Sequence, residues 1–162
     1  MKKSGFTLIE LMVVIVILGV LSMVGITAFT SSQVRSRDAK RKADLANFQK
    51  SLEFYYNDYN SFPLGNADGQ ITCESDGTVC NWGDIFQDEN DTIYMIKLPK
   101  ESNAARRYFY VSDGTEYRVY ALLENPEDAD IPDSGSYADT DCGIAAGDQE
   151  CNYGIASVKT TP

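Results

Sequence analysis

Between Gly5 and Thr30 the chain reads FTLIELMVVIVILGVLSMVGITAF, 24 residues of which one, Glu10, carries a charge. As a continuous helix this run would rise about 36 Å at ~1.5 Å per residue, enough to cross a hydrocarbon core. It is apolar all round, so it offers no wet face to a soluble domain. A carboxylate inside hydrocarbon costs on the order of 2.5–3.5 kcal/mol on insertion scales, so Glu10 requires a partner. A secretory signal would have an apolar region of about 7–15 residues and then a small-residue cleavage site. This run is longer, and Thr27-Ala28-Phe29-Thr30-Ser31-Ser32 leads without a break into helix-compatible sequence. The abrupt junction is Ser4-Gly5-Phe6, which places any cleavage ahead of the apolar run.

Beyond the run, Leu45, Phe48, Leu52, Tyr55 and Tyr59 follow a 3-4-3-4 spacing, the stripe of an amphipathic helix. Glycine and proline are absent from Ile26 to Phe62, and Pro63-Leu64-Gly65 supplies a stop. One helix from Phe6 to Tyr59, roughly 80 Å long, is expected. Residues 65–91 are rich in Gly, Asn and Asp and read as a loop. Ile93 to Pro99 is a candidate edge segment. Tyr108–Ser112 and Glu116–Leu123 flank Asp113-Gly114, a β-hairpin signal. Asn125 to Asp141 is an acidic loop, and Tyr153 to Val158 a last candidate strand. A long helix with a small antiparallel sheet is an α+β arrangement.

The formal charge is −10, and it is segregated. Residues 33–50 hold Arg35, Arg37, Lys40, Arg41, Lys42 and Lys50 against Asp38 and Asp44, a net +4. Residues 51–162 hold six basic and 21 acidic side chains, a net −15. The basic cluster reads either as a solvated face or as a surface that meets acidic patches on neighbouring copies. An acidic domain repels phosphates, so no direct nucleic-acid partner is expected. Histidine is absent, which removes Ser-His-Asp and Cys-His nucleophile systems, and no phosphate-cradling glycine loop is present. The chain is expected not to be an enzyme. Its four cysteines lack a CxxC spacing, so zinc is not indicated. An even count in a small exported domain reads as two disulfides. Three pairings are formally open, and the short loops suit Cys73–Cys80 with Cys142–Cys151.

The segment Lys2-Lys3-Ser4-Gly5-Phe6-Thr7-Leu8-Ile9-Glu10 resembles the class III leader of bacterial type IV pilins and type II secretion pseudopilins. Arg-Asp-Ala-Lys-Arg-Lys-Ala-Asp-Leu at 37–45 and Tyr-Tyr-Asn-Asp-Tyr-Asn-Ser-Phe-Pro at 55–63 are similar to the same family. The resemblance implies removal of residues 1–5 by a prepilin peptidase cutting after Gly5, and N-methylation of Phe6. It implies a transmembrane and filament-core helix over 6–29, its amphipathic continuation over 30–62, and a disulfide-bonded globular domain over 63–162. Glu10 takes the place of the family's intramembrane glutamate, which meets the terminal amine of its own or a neighbouring subunit and sets the stagger of assembly. The amine that cleavage would create is positive near neutral pH, its ordinary pKa being about 7.7–8.0, and lies about one helical turn from Glu10. The chain departs from many relatives in having no proline before Pro63; Gly19 and Gly25 are the candidate soft points or close-packing positions.

By the positive-inside rule the basic cluster would put the far helix end in the cytoplasm. The family orientation and the disulfide reading favour the opposite, with Lys2 and Lys3 inside. The expected course is a single-pass precursor in the cytoplasmic membrane, handled by an assembly platform, then a helical homopolymer. That polymer is an extracellular type IV pilus or, alternatively, a periplasm-facing pseudopilus; a third reading is a monomeric anchored binding protein. Major pseudopilins carry calcium in a late loop of the domain, and Asp128, Asp130, Asp133, Asp139 and Asp141 are the corresponding oxygen donors, although their spacing is not that of an EF-hand. No other cofactor is expected.

Overall fold

The computed structural model describes residues 5–73, 76–137, 139–143 and 149–157, except the side chains of Val24, Gly25, Thr27 and Ala28. The leader residues Met1–Ser4 and the end of the last expected strand, Val158, lie outside the described residues. The long helix α1 spans Leu8–Tyr59, and the chain divides into two units, Met1–Arg37 and Asp38–Pro162.

The first unit opens with a reciprocal cap. Thr7, just ahead of α1, donates its backbone N–H (2.8 Å) and its hydroxyl (2.7 Å) to Glu10 Oε2, and its Oγ1 accepts from the Glu10 amide at 3.3 Å. This capping box satisfies amides that the first helical turn leaves without carbonyl partners. Every large apolar side chain described between Phe6 and Phe29 is exposed, Phe6 at 92%. Ser22 in mid-run returns its hydroxyl to the Leu18 carbonyl at 2.7 Å, which keeps the surface apolar. Among the described residues no helix is long and apolar enough to cross a membrane.

The second unit is built on the part of α1 from Asp38 to Tyr59. Leu45, Phe48 and Leu52 are fully buried along its stripe, each burial being worth about 1.5–3 kcal/mol. They meet three antiparallel sheets. The strands β1 (Ile71–Thr72) and β2 (Val79–Cys80) form one, and β3 (Phe86–Gln87) and β4 (Ile93–Met95) a second. The third is a meander of β5 (Phe109–Ser112), β6 (Tyr117–Ala121) and β7 (Tyr153–Ala156), in that spatial order. In β6, Tyr117, Val119 and Ala121 face the helix, with Tyr110 of β5 beside them. The pair Phe109 and Tyr120 points to the other face, where Cys142 and Cys151 pack against it. Phe48 sits edge-on to Trp82, Phe86 and Tyr110, with centroids 5.4–6.4 Å apart.

The helix ends at Tyr59, as expected: Asn60 takes a left-handed conformation (φ 51°) and its amide bonds the Tyr56 carbonyl at 2.7 Å. Asparagine tolerates that geometry and terminates helices as glycine does. Two expectations need correction. The 65–91 loop contains β1, β2 and β3, strands too short for an alternation pattern to register. The expected hairpin is present but shorter, with Asp113 Oδ1 accepting from the amides of Thr115 (2.8 Å) and Glu116 (3.1 Å) and Gly114 at φ 92°. The disulfides join Cys73 to Cys80 and Cys142 to Cys151, with Cα separations of 5.8 and 5.2 Å.

The β3–β4 turn is fastened to the end of α1. Asp88 Oδ2 accepts from the hydroxyls of Tyr59 (2.7 Å) and Tyr94 (3.2 Å), and Oδ1 from the amides of Asn90 (2.9 Å) and Thr92 (2.8 Å). Burial works to raise the Asp88 pKa, but the Tyr59 hydroxyl and these amides outweigh it and hold the carboxyl at about 2, against an ordinary 3.8. The folded protein therefore keeps Asp88 ionised at a pH where the unfolded chain has already taken a proton. Its contribution is complete above pH 3.8 and is lost as pH falls through 2. Chemical denaturation should show stability declining across that window. Asp88→Asn should be less stable at neutral pH and show a shallower acid decline; an unchanged decline would refute the assignment.

Candidate functional site

The chemistry of the first unit lies at its beginning. Gly5 and Phe6 precede the helix and are exposed, so the bond between them is open to a protease. Glu10 lines a shallow recess of about 340 Å³ with Phe6, Ile9, Val13 and Val14. Both Thr7 donors go to Glu10 Oε2, and Oε1 has no hydrogen-bond partner among the described residues. The carboxylate can therefore hold the cap with one oxygen and accept from an amine with the other. Around it is a helix whose large apolar side chains are uncovered, far more apolar surface than a monomer in water leaves bare. That surface requires lipid or other apolar helices.

The second unit buries an ionic cluster that sequence reasoning missed. The Arg41 guanidinium, 3% exposed, bonds Asp38 Oδ1 (2.8 Å), both oxygens of Glu101 (2.6 and 3.1 Å) and Glu124 Oε1 (2.8 Å). Asp38 in turn accepts from the amides of Glu124 and Asn125, each at 2.9 Å. Burial opposes the Arg41 charge, yet the bonds to Glu101 and Glu124 prevail and raise its pKa further above the ordinary value. The signal was present: residues 38, 41, 45, 48 and 52 continue the 3-4-3-4 spacing backwards, so two charges lie on the buried stripe. Charges in that position must be paired.

This changes the reading of the basic collar. Arg41 and Lys42 turn to carboxylates of their own domain, and Lys40 pairs with Asp44 one turn on at 2.8 Å. Lys42 Nζ lies 2.5 Å from Asp128 Oδ1 and 2.6 Å from Asp130 Oδ2. Burial tends to lower the Lys42 pKa, and the bonds to Asp128 and Asp130 raise it overall; the same bond from Lys42 lowers that of Asp128.

The five aspartates expected to offer oxygens to calcium do not converge. Asp128 and Asp130 hold Lys42. Asp141 takes the Arg107 guanidinium at 3.0 Å and the Gly143 amide at 2.8 Å. Asp133 and Asp139 join neither group, Asp139 sitting at φ 61° in a turn. Among the described residues no three acidic or sulfur side chains gather as a metal site. Three of the five carboxylates are thus paired with an ammonium or a guanidinium of the same domain.

The family model for the prokaryotic N-terminal methylation motif matches residues 1–26. Type II secretion system core protein G of Dickeya chrysanthemi is 34% identical over 126 residues, covering 78% of this chain and 79% of that protein. Its counterpart in Vibrio cholerae is 32% identical over 115 residues, 70% of this chain and 73% of that protein. The fimbrial protein EcpC of Eikenella corrodens is 36% identical over 80 residues, 49% of this chain and 52% of that protein. No solved structure matches the chain.

Proposed function

The chain belongs to the family of type IV pilins and type II secretion pseudopilins, and we propose that it is the repeating subunit of a filament of the type II secretion pseudopilus kind. The observation that carries the filament reading is the run from Phe6 to Phe29, whose described large apolar side chains are all exposed. In the precursor this segment sits in the cytoplasmic membrane with the globular domain on the far side. A prepilin peptidase removes residues 1–5, Phe6 becomes a methylated terminus, and the helices leave lipid to pack on one another. Glu10 Oε1 accepts from the Phe6 amine of a neighbour, which exchanges two costly lone charges for one pair and sets the axial step. The chain performs no catalysis of its own.

The preference for a pseudopilus rests on extent of likeness. The relatives matched over 70–78% of this chain are core protein G, whereas the fimbrial protein reaches 49%. The acidic loop gives the pilus reading its support, since Asp128 and Asp130 are taken up by Lys42 rather than left open as oxygen ligands. Deleting the gene in its native host separates the two. Loss of folded-protein export with surface fibres retained supports the pseudopilus; loss of fibres with export intact overturns it in favour of the pilus.

A further inference from the structure

The acidic loop contains a cation, but the chain supplies it. Lys42 Nζ stands between Asp128 Oδ1 and Asp130 Oδ2 and lies 5.5 Å from the centroid of the Tyr153 ring on β7. Two carboxylates two residues apart and one aromatic face thus surround a single positive charge. The loop is shaped for this: Asp128 Oδ1 also accepts the Asp130 amide at 3.0 Å, and the Asp128 and Ile131 amides close turns onto Asn125 and Asp128 carbonyls at 3.2 and 3.1 Å. Calcium needs six to eight oxygens at about 2.3–2.6 Å, and a divalent ion here would have to expel an ammonium already held by two charge-assisted bonds.

We infer that the Lys42 ammonium is an intramolecular substitute for a divalent cation, pinning the 125–131 loop to α1 so that the domain folds without metal. The tie is covalently attached to the helix, so it is present at any calcium concentration. Its geometry lies wholly in the second unit and does not depend on the chain forming filaments.

Thermal melting of the full chain in detergent, with EDTA or with millimolar calcium, tests the substitution. The wild type should melt at the same temperature in both. Lys42→Met should melt roughly 5–10 °C lower in EDTA and recover in calcium, because removing the ammonium frees Asp128 and Asp130 for the metal. Lys42→Arg, which keeps the charge, should remain close to the wild type and indifferent to calcium. A wild type that loses stability in EDTA overturns the inference, as does a Lys42→Met chain that is undiminished or that calcium does not restore.

Discussion

Glu10→Ala is expected to yield a stable, processed, membrane-inserted subunit that fails to assemble. Insertion becomes easier without the carboxylate, since a charge in hydrocarbon costs on the order of 2.5–3.5 kcal/mol. Processing depends on the Gly5–Phe6 junction, which the substitution leaves in place. Each subunit added to a filament, however, brings an amine that no longer meets a carboxylate, and the same energy then counts against addition. That is a loss of roughly 100-fold per step, read as sheared filament recovered per cell with subunit level held equal. Glu10→Gln separates two roles for the side chain. Glutamine can replace glutamate in the cap formed with Thr7, but it carries no charge. Assembly through charge pairing predicts that Gln fails as Ala does; assembly that needs only the cap predicts near-normal filaments from Gln.

Arg41→Ala should be the most destabilising single change in the globular unit. It strips the counter-charge from Asp38, Glu101 and Glu124, of which Asp38 and Glu101 are as buried as the arginine itself. Removing one partner of a buried ionic cluster costs about 3–5 kcal/mol because the remaining charges stay out of water. A fall in melting temperature on the order of 10 °C or more is expected. Lys40→Ala, which removes an exposed pair with Asp44, should change stability by less than about 1 kcal/mol. Equal effects from the two would refute the distinction between buried and surface cations in this collar.

The apolar run and the stripe from Leu45 to Tyr59 were legible because each is written in a short, continuous stretch of sequence. So was the β5–β6 hairpin, through its Asp-Gly turn. The helix end at Tyr59 was legible from the stripe and the Pro63 stop, although the turn itself is made by Asn60 through a backbone angle. The strands β1 to β3 escaped notice because two residues cannot display an alternating pattern. The partner of the acidic loop was illegible for a different reason. Its aspartates are bound by a lysine 86 and 88 residues away, and composition within the loop carries no trace of that partner. Asp38 and Arg41 were legible in principle, since their spacing places them on the apolar stripe. The unread clue was a charge where the pattern required a hydrophobe.

The central claim is that the exposed apolar helix becomes the core of a polymer only after a new amine is made at Phe6. Mass measurement of the N-terminal peptide from sheared filaments tests it most directly. The expected peptide begins with N-methylated Phe6 and lacks residues 1–5. A chain that still begins at Met1, recovered from membranes and absent from any filament, would contradict it.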